Sequence, residues 1–216
     1  MDTVMKILNL YAGIGGNRKL WGDEHEITAV EYDPNIAAAY RHFWPNDELI
    51  VGDAHEYLLH NYSNFDFIWT SPPCQSHSQM RQYMGVTSGQ VKPKYPDMKL
   101  YEEIIFLQAN RKGLYIVENV KPYYEPLIRP TAILQRHPVW ANFPIERIDL
   151  PSDNIEWGTV AGWQESTGFD LTGFDVDKRT VLRNCVSPIL GLHILNAALG
   201  KTPKSEQMLF DMEAIR

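Results

Sequence analysis

Five short apolar runs, each stopped by glycine, a carboxylate or proline, punctuate the first 120 residues of the chain. Residues 5–11 (MKILNLY) end at the turn Ala12-Gly13-Ile14-Gly15-Gly16. Residues 27–32 (ITAVEY) end at Asp33-Pro34, where proline is placed to open a helix over 36–43. Residues 49–51 stop at Gly52-Asp53, residues 65–70 (FDFIWT) at Ser71-Pro72-Pro73, and residues 114–117 (LYIV) at Glu118-Asn119-Val120. Strands that are apolar on every residue are buried on both faces, and the intervening segments, including a helix over 100–112, supply the cover. The pattern predicts an α/β fold, a doubly wound, Rossmann-like parallel sheet.

Beyond Pro122 the pattern loosens. Two short strands are expected at 139–143 and 145–150, around Pro144. The stretch 153–177, rich in Gly, Asp and Trp, shows no clear period, and a helix is expected over 188–199. At 216 residues the chain suits one domain with a short appendage. The expected division is a core at 1–149, a small segment at 150–182, a returning helix at 183–200 and a tail at 201–216. With 44% hydrophobic residues, no apolar run of membrane-spanning length and no signal-peptide layout, a soluble, cytoplasmic protein is expected. Two cysteines, Cys74 and Cys185, are too few for a disulfide framework. No metal site is expected.

Ligands of an open α/β sheet bind at the carboxyl ends of its strands, so the strand-end residues form the candidate site. The glycine turn lets backbone approach a ligand, although a tight turn alone would also explain it. Its spacing is wrong for a dinucleotide fingerprint and it lacks a phosphate-loop lysine. Glu31 stands where a carboxylate grips ribose hydroxyls, Tyr32 is placed to stack on a base, and Asp53 is either an acceptor for an amino group or an exposed loop acid. Cys74 sits in Ser71-Pro72-Pro73-Cys74-Gln75-Ser76; polar neighbours and a stiff support argue for a reactive thiol over a packed one. Glu118 follows a buried run, where desolvation favours the neutral carboxyl and makes it a candidate acid for a ring nitrogen; an N-cap is the alternative. The net charge of -7 argues against a broadly basic surface. Nevertheless, residues 76–99 carry Arg81, Lys92, Lys94 and Lys99 against one acid, Asp97.

Taken in order, Tyr11 to Gly16, Glu31-Tyr32-Asp33, Gly52-Asp53, Pro72-Pro73-Cys74-Gln75, Glu118-Asn119-Val120 and Arg183-Asn184-Cys185-Val186-Ser187-Pro188 resemble the motifs of the cytosine-C5 DNA methyltransferases. Pro-Cys-Gln followed by Glu-Asn-Val is the telling combination. The resemblance implies S-adenosyl-L-methionine as donor, held by Tyr11, Ala12, Gly13, Gly15, Gly16, Glu31 (ribose), Tyr32 (adenine face), Asp53 and Ala54 (adenine edge), Pro72, Asn184 and Val186. It implies that Cys74 attacks C6 of a flipped-out cytosine while Glu118 supports N3, and that the last helix packs beside the first strand. Gln75, Ser76, Arg81, Lys92, Lys94 and Asn119 are the expected nucleic-acid contacts, with double-stranded DNA as partner in a bacterial or phage-infected cell.

Two departures stand out. The family's Gln-x-Arg-x-Arg pattern has as its nearest counterpart Gln135-Arg136-His137-Pro138-Val139-Trp140, and Arg136 is assigned the role beside the flipped base. The recognition domain is reduced to about residues 150–182, where Trp157, Trp163, Phe169, Phe174, Lys178 and Arg179 either contact nucleic acid or cover the sheet. Specificity is therefore expected to be short, or to come from a second subunit or homodimer. The alternative functions are RNA (tRNA) cytosine-C5 methylation, transfer of a modified one-carbon group and a catalytically silent partner role. Residues 206–210 resemble clamp-docking peptides only faintly.

Overall fold

A computed structural model describes residues 4–147 and 158–201. The expected strand at 145–150, Trp157 and the tail beyond Lys201 lie wholly or partly outside the described residues. The chain runs β1 (Lys6–Leu10), β2 (Glu26–Glu31), α1 (Pro34–Phe43), β3 (Glu48–Val51), α2 (Ala54–Asn61), β4 (Phe67–Thr70), a π-helical turn (Arg81–Val86), α3 (Lys99–Asn110), β5 (Leu114–Glu118), β6 (Ala132–Leu134), β7 (His137–Ala141), α4 (Val160–Thr167), α5 (Lys178–Arg183) and α6 (Pro188–Ala198). One seven-stranded sheet has the order β3-β2-β1-β4-β5-β7-β6. The first five are parallel neighbours; β7 is antiparallel to β5, and β6 to β7. This is the doubly wound α/β architecture.

Alternate residues of each central strand feed opposite cores, which is why the strands read as unbroken apolar runs. Ile7, Phe67, Trp69, Ile116 and Val139 join Ile189, Leu190, Ile194 and Leu195 of α6 on one face. Leu8, Leu10, Ile68 and Val117 meet α2 and α3 on the other. The last helix of the described residues thus shares a core with β1. Asp33 caps α1, its carboxylate accepting from the Asn35 and Ile36 amides, with Pro34 in the first turn.

Two expectations are corrected. The late strand pair is Ala132–Leu134 with His137–Ala141, and residues 145–147 form no strand. Pro138 lies inside β7 although proline donates nothing to a ladder; its carbonyl still accepts from the Asn119 amide. The aperiodic 153–177 stretch contains α4, opened by the Thr159 hydroxyl on the Gly162 amide and closed by Gly168 at φ 64°. Trp163 and Phe169 are buried with Ile14 and Ala39, so these aromatics cover α1 and the glycine loop and have no free face for stacking.

Candidate active site

The carboxyl ends of β2, β1, β4 and β5 lie side by side along one edge of the sheet. At β1, Tyr11 adopts a left-handed backbone (φ 55°), costly for a side chain with a Cβ and a mark of a constrained site. Its hydroxyl donates to Glu103 of α3 at 2.6 Å, and burial together with that carboxylate pushes the phenol pKa well up. Glu103 is itself buried and also accepts from the Thr70 hydroxyl at 2.6 Å and meets His55 Nδ1 at 3.0 Å. The bond from Glu103 holds the His55 pKa above its ordinary value. Ala12 and Ala54 are buried, the first with Ala29 and Tyr40.

Gly13 has φ +57°, and a Cβ built there meets nothing within 4 Å, so open space lies over the turn. Opposite, Glu31 holds both oxygens in place, Oε2 accepting from the Gly13 amide and Oε1 from the Asp33 amide, each at 2.9 Å. Tyr32 beside it is 75% exposed. Gly15 and Gly16 serve close packing. A Cβ on Gly15 would fall on the Trp44 indole, and one on Gly16 would fall 2.4 Å from the Val186 carbonyl oxygen. The Asn184–Val186 loop therefore closes onto the glycine turn, with Asn184 exposed and Val186 half-buried. Asn17 fixes the turn from below through a 2.8 Å bond to Asn9 of β1.

Asp53 is accounted for locally: it caps α2 by accepting from the His55 amide at 2.8 Å and pairs with Lys99 at 3.3 Å. Partial burial would raise its pKa, but the Glu56 and His55 amides and Lys99 hold it below the carboxylate range.

The thiol and the acid stand together. Strands β4 and β5 pair in parallel with Thr70 beside Val117, so Ser71–Cys74 and Glu118–Asn119 leave the sheet side by side. Asn119 is buried and donates to the Pro72 carbonyl at 2.9 Å, bracing the turn that presents Cys74. Pro72 is buried and Cys74 half-buried. Glu118, only 4% exposed, accepts from Ser71 at 2.8 Å through Oε2 and meets His137 Nδ1 at 2.6 Å through Oε1. Burial, then the Glu118 charge, pushes the Cys74 thiol pKa up, against the pull of Arg183 and Arg136. Arg136 is exposed at the β6–β7 turn and acts on the thiol by charge; it is His137 that pairs with Glu118.

Residues 75–98 lie over this end. Gln75, Lys92 and Lys94 are exposed. The Ser76 hydroxyl accepts from the Asp97 amide at 2.9 Å, closing the segment on itself, and Arg81 is half-buried and donates to the Lys92 carbonyl. Between them the π-helical turn exposes Tyr83 and Met84, a backbone form concentrated at functional sites. Sequence reasoning missed Ser71, His55, Glu103, His137 and Arg183. Of these, His137 carried a signal: aligned on Gln135, it occupies the first arginine of the Gln-x-Arg-x-Arg pattern.

A family model described as C-5 cytosine-specific DNA methylase matches residues 5–125, more than half of the chain. The chain belongs to that family. A tRNA (cytosine(38)-C(5))-methyltransferase from Spodoptera frugiperda is 27% identical over 130 residues, covering 57% of this chain and 38% of that protein. The type II methyltransferase M.FnuDI from Fusobacterium nucleatum is 32% identical over 123 residues, covering 54% and 35%. The chain thus spans little more than a third of the length of these curated relatives. Among solved structures, a mutant of Spodoptera frugiperda DNMT2 is similar at 24% identity, TM-score 0.43, over 67% of this chain and 53% of that one. A putative methyltransferase, yhhF from Escherichia coli, gives 16% identity and TM-score 0.41, covering 63% and 74%.

S-adenosylmethionine is the methyl donor that family membership implies. The surroundings of the glycine turn fit it: open space over Gly13, the fixed carboxylate of Glu31 beside it and the exposed ring of Tyr32 are what a nucleoside needs. Among the described residues no helix is long and apolar enough to cross a membrane.

Proposed function

We propose that the protein methylates C5 of a flipped-out cytosine in double-stranded DNA through a covalent adduct at Cys74. The observation that carries the reading is the pairing of a half-buried thiol with a buried carboxyl on adjacent strand ends, both braced by Ser71 and Asn119. C5 of cytosine is a poor nucleophile until C6 is attacked, so a thiol on one side and an acid for N3 on the other is the chemistry required. Glu31 grips the donor's ribose, Tyr32 covers its adenine, Asp53 and Ala54 lie at the adenine edge, and Tyr11, Ala12, the Gly13 turn, Gly15, Gly16, Pro72, Asn184 and Val186 line the rest. When bound, S-adenosylmethionine supplies a methyl group on a positively charged sulfur.

The thiolate of Cys74 adds to C6 while the Glu118 carboxyl holds N3, and electron density moves to C5. Once C5 carries the methyl group its proton leaves and Cys74 is expelled, restoring the ring. Arg136 and Arg183 stabilise the thiolate. Gln75, Ser76, Arg81, Lys92, Lys94 and the brace at Asn119 form the nucleic-acid side, where cations meet phosphate. Residues 1–149 and 183–200 form the catalytic body. Residues 150–182 are a reduced recognition segment, so target discrimination is short or is supplied by a second copy or subunit.

The Spodoptera frugiperda relative favours a second reading, methylation of a cytosine in tRNA. Trapping on DNA containing 5-fluorocytosine with S-adenosylmethionine tests the first reading, because an adduct with no C5 proton to lose persists. A Cys74-dependent adduct on DNA is expected. Methyl incorporation into tRNA and none into DNA overturns the choice of substrate, and an adduct that survives Cys74→Ala overturns the mechanism.

A further inference from the structure

Glu118 carries a partner that the mechanism above does not use. His137, in β7, is itself buried, and its Nδ1 lies 2.6 Å from Glu118 Oε1. A nitrogen and an oxygen this close are held together by a proton, and so short a contact is typical of a charge-assisted bond. On the other oxygen the Ser71 hydroxyl, itself fixed by the Trp69 indole at 2.8 Å, locks the carboxyl's rotation. The elements packed around the histidine bring few competitors. Strand β6 has no titratable residue, β5 brings Glu118 and Tyr115, and the one titratable group of α6, His193, is bonded through Nε2 to the Glu146 carbonyl. Glu118, Arg183 and Arg136 act by charge on Cys74 at this end, and Lys121 follows β5 with its amide on the Arg136 carbonyl.

We propose that His137 is the positioning and proton-storing residue of this site, the Glu118–His137 pair holding one shared proton that it lends to N3 of the cytosine. The inference rests on the cytosine reading given above. As the Cys74 sulfur bonds to C6, the C5=C6 electrons move toward C4 and those of C4=N3 onto N3, which takes the shared proton. Neutral imidazole then faces carboxylate. When the C5 proton leaves and the C–S bond breaks, N3 returns the proton to the pair, so the only net release is the proton that the methyl group replaces. An arginine in this place fixes the carboxylate but has no proton to lend; a histidine does both.

The test is the rate of adduct formation on 5-fluorocytosine DNA across pH for the wild type, His137→Gln and His137→Arg, with donor affinity and thermal midpoint measured alongside. Glutamine keeps a donor toward Glu118 but stores no proton. In both variants adduct formation is expected to fall on the order of 100-fold at alkaline pH and to recover as pH is lowered and solvent supplies the proton that N3 takes. Donor affinity stays within a few-fold of wild type. Wild-type rates with an unshifted pH profile in either variant overturn the proposal. So does an equal loss at every pH, which would assign His137 to packing alone. Should the wild-type chain form no adduct on any cytosine substrate, the underlying reading fails and this one with it; a normal wild-type adduct beside unaffected variants removes only the role of His137.

Discussion

Replacing Gly16 by alanine separates the closure of the late loop from the donor crevice. An added Cβ would stand 2.4 Å from the Val186 carbonyl oxygen and 2.2 Å from Cys185 Sγ. The first contact is roughly 1 Å short of the about 3.3 Å at which carbon and carbonyl oxygen ordinarily meet. The atom in the way is backbone, so rotating a side chain cannot relieve it and the 184–188 loop must move. Overpacking of this kind costs about 1–3 kcal/mol, and for a chain of this size 2 kcal/mol lowers Tm by roughly 4–8 °C. With Asn184 and Val186 against the donor, as proposed, S-adenosylmethionine should bind more weakly as well. Gly13→Ala is the informative contrast: nothing lies within 4 Å of its Cβ, and the loss is the left-handed backbone at φ +57°, on the order of 1 kcal/mol. Its methyl group enters the space assigned to the donor, so Gly13→Ala should lose affinity more than stability. Scanning calorimetry and titration calorimetry on both variants decide the matter. A Gly16→Ala protein with unchanged Tm and donor affinity would refute the packing argument, and normal donor affinity in Gly13→Ala would refute the placement of the crevice.

Two other perturbations read the electrostatics. Arg183→Ala removes one of the charges that pull the Cys74 thiol down against burial and Glu118, so its alkylation by iodoacetamide, followed at Cys74 by mass spectrometry, should shift toward higher pH; an unmoved profile would mean that Arg183 does not act on the sulfur. His55 is raised by its bond to Glu103, so its contribution to stability is fully present below the ordinary histidine value and is lost as pH rises through the folded-state value. Urea denaturation against pH should therefore show a decline in that window for the wild type that His55→Gln lacks, and parallel curves would contradict the pairing.

The sheet was legible because burial on both faces leaves a mark on every residue. Strands β1 to β5 lie within a residue or two of the predicted runs for that reason, and α1 announces itself through Asp33-Pro34. Helix α2 was missed although Asp53 is its cap: a carboxylate just past a strand was weighed as an acceptor for an amino group or a loop acid, and its bonds to the His55 and Glu56 amides, which open the helix, leave no mark in the sequence. Helix α4 is bracketed by Thr159 and Gly168, ordinary start and stop signals, but a short, weakly periodic segment between them hid the pattern. The late strand expected at 139–143 runs two residues earlier, at His137–Ala141, and its pairing with β5 has no mark in the sequence.

Cys74 and Glu118 were singled out because each stands at or just past the end of a predicted strand, and strand ends are countable from the sequence. Their supports were not, since these come from contacts with no period. Tyr11 meets Glu103 across 92 residues, Ser71 meets Glu118 across 47, and His137 folds back 19 residues onto Glu118. Arg136 was assigned as the arginine nearest to the family pattern, a property visible in the sequence. Burial decides which of two adjacent side chains turns inward, and in β7 the sheet register sets that choice. With Glu118 opposite Val139, the backbones of Asn119 and Lys121 bond to the carbonyls of Pro138 and Arg136. This strip of antiparallel pairing carries His137 along the β5 terminus and leaves Arg136 at the exposed turn. The surroundings of the buried Glu118 carboxyl are therefore defined by two strands, and a reading that stops at the end of β5 sees half of them.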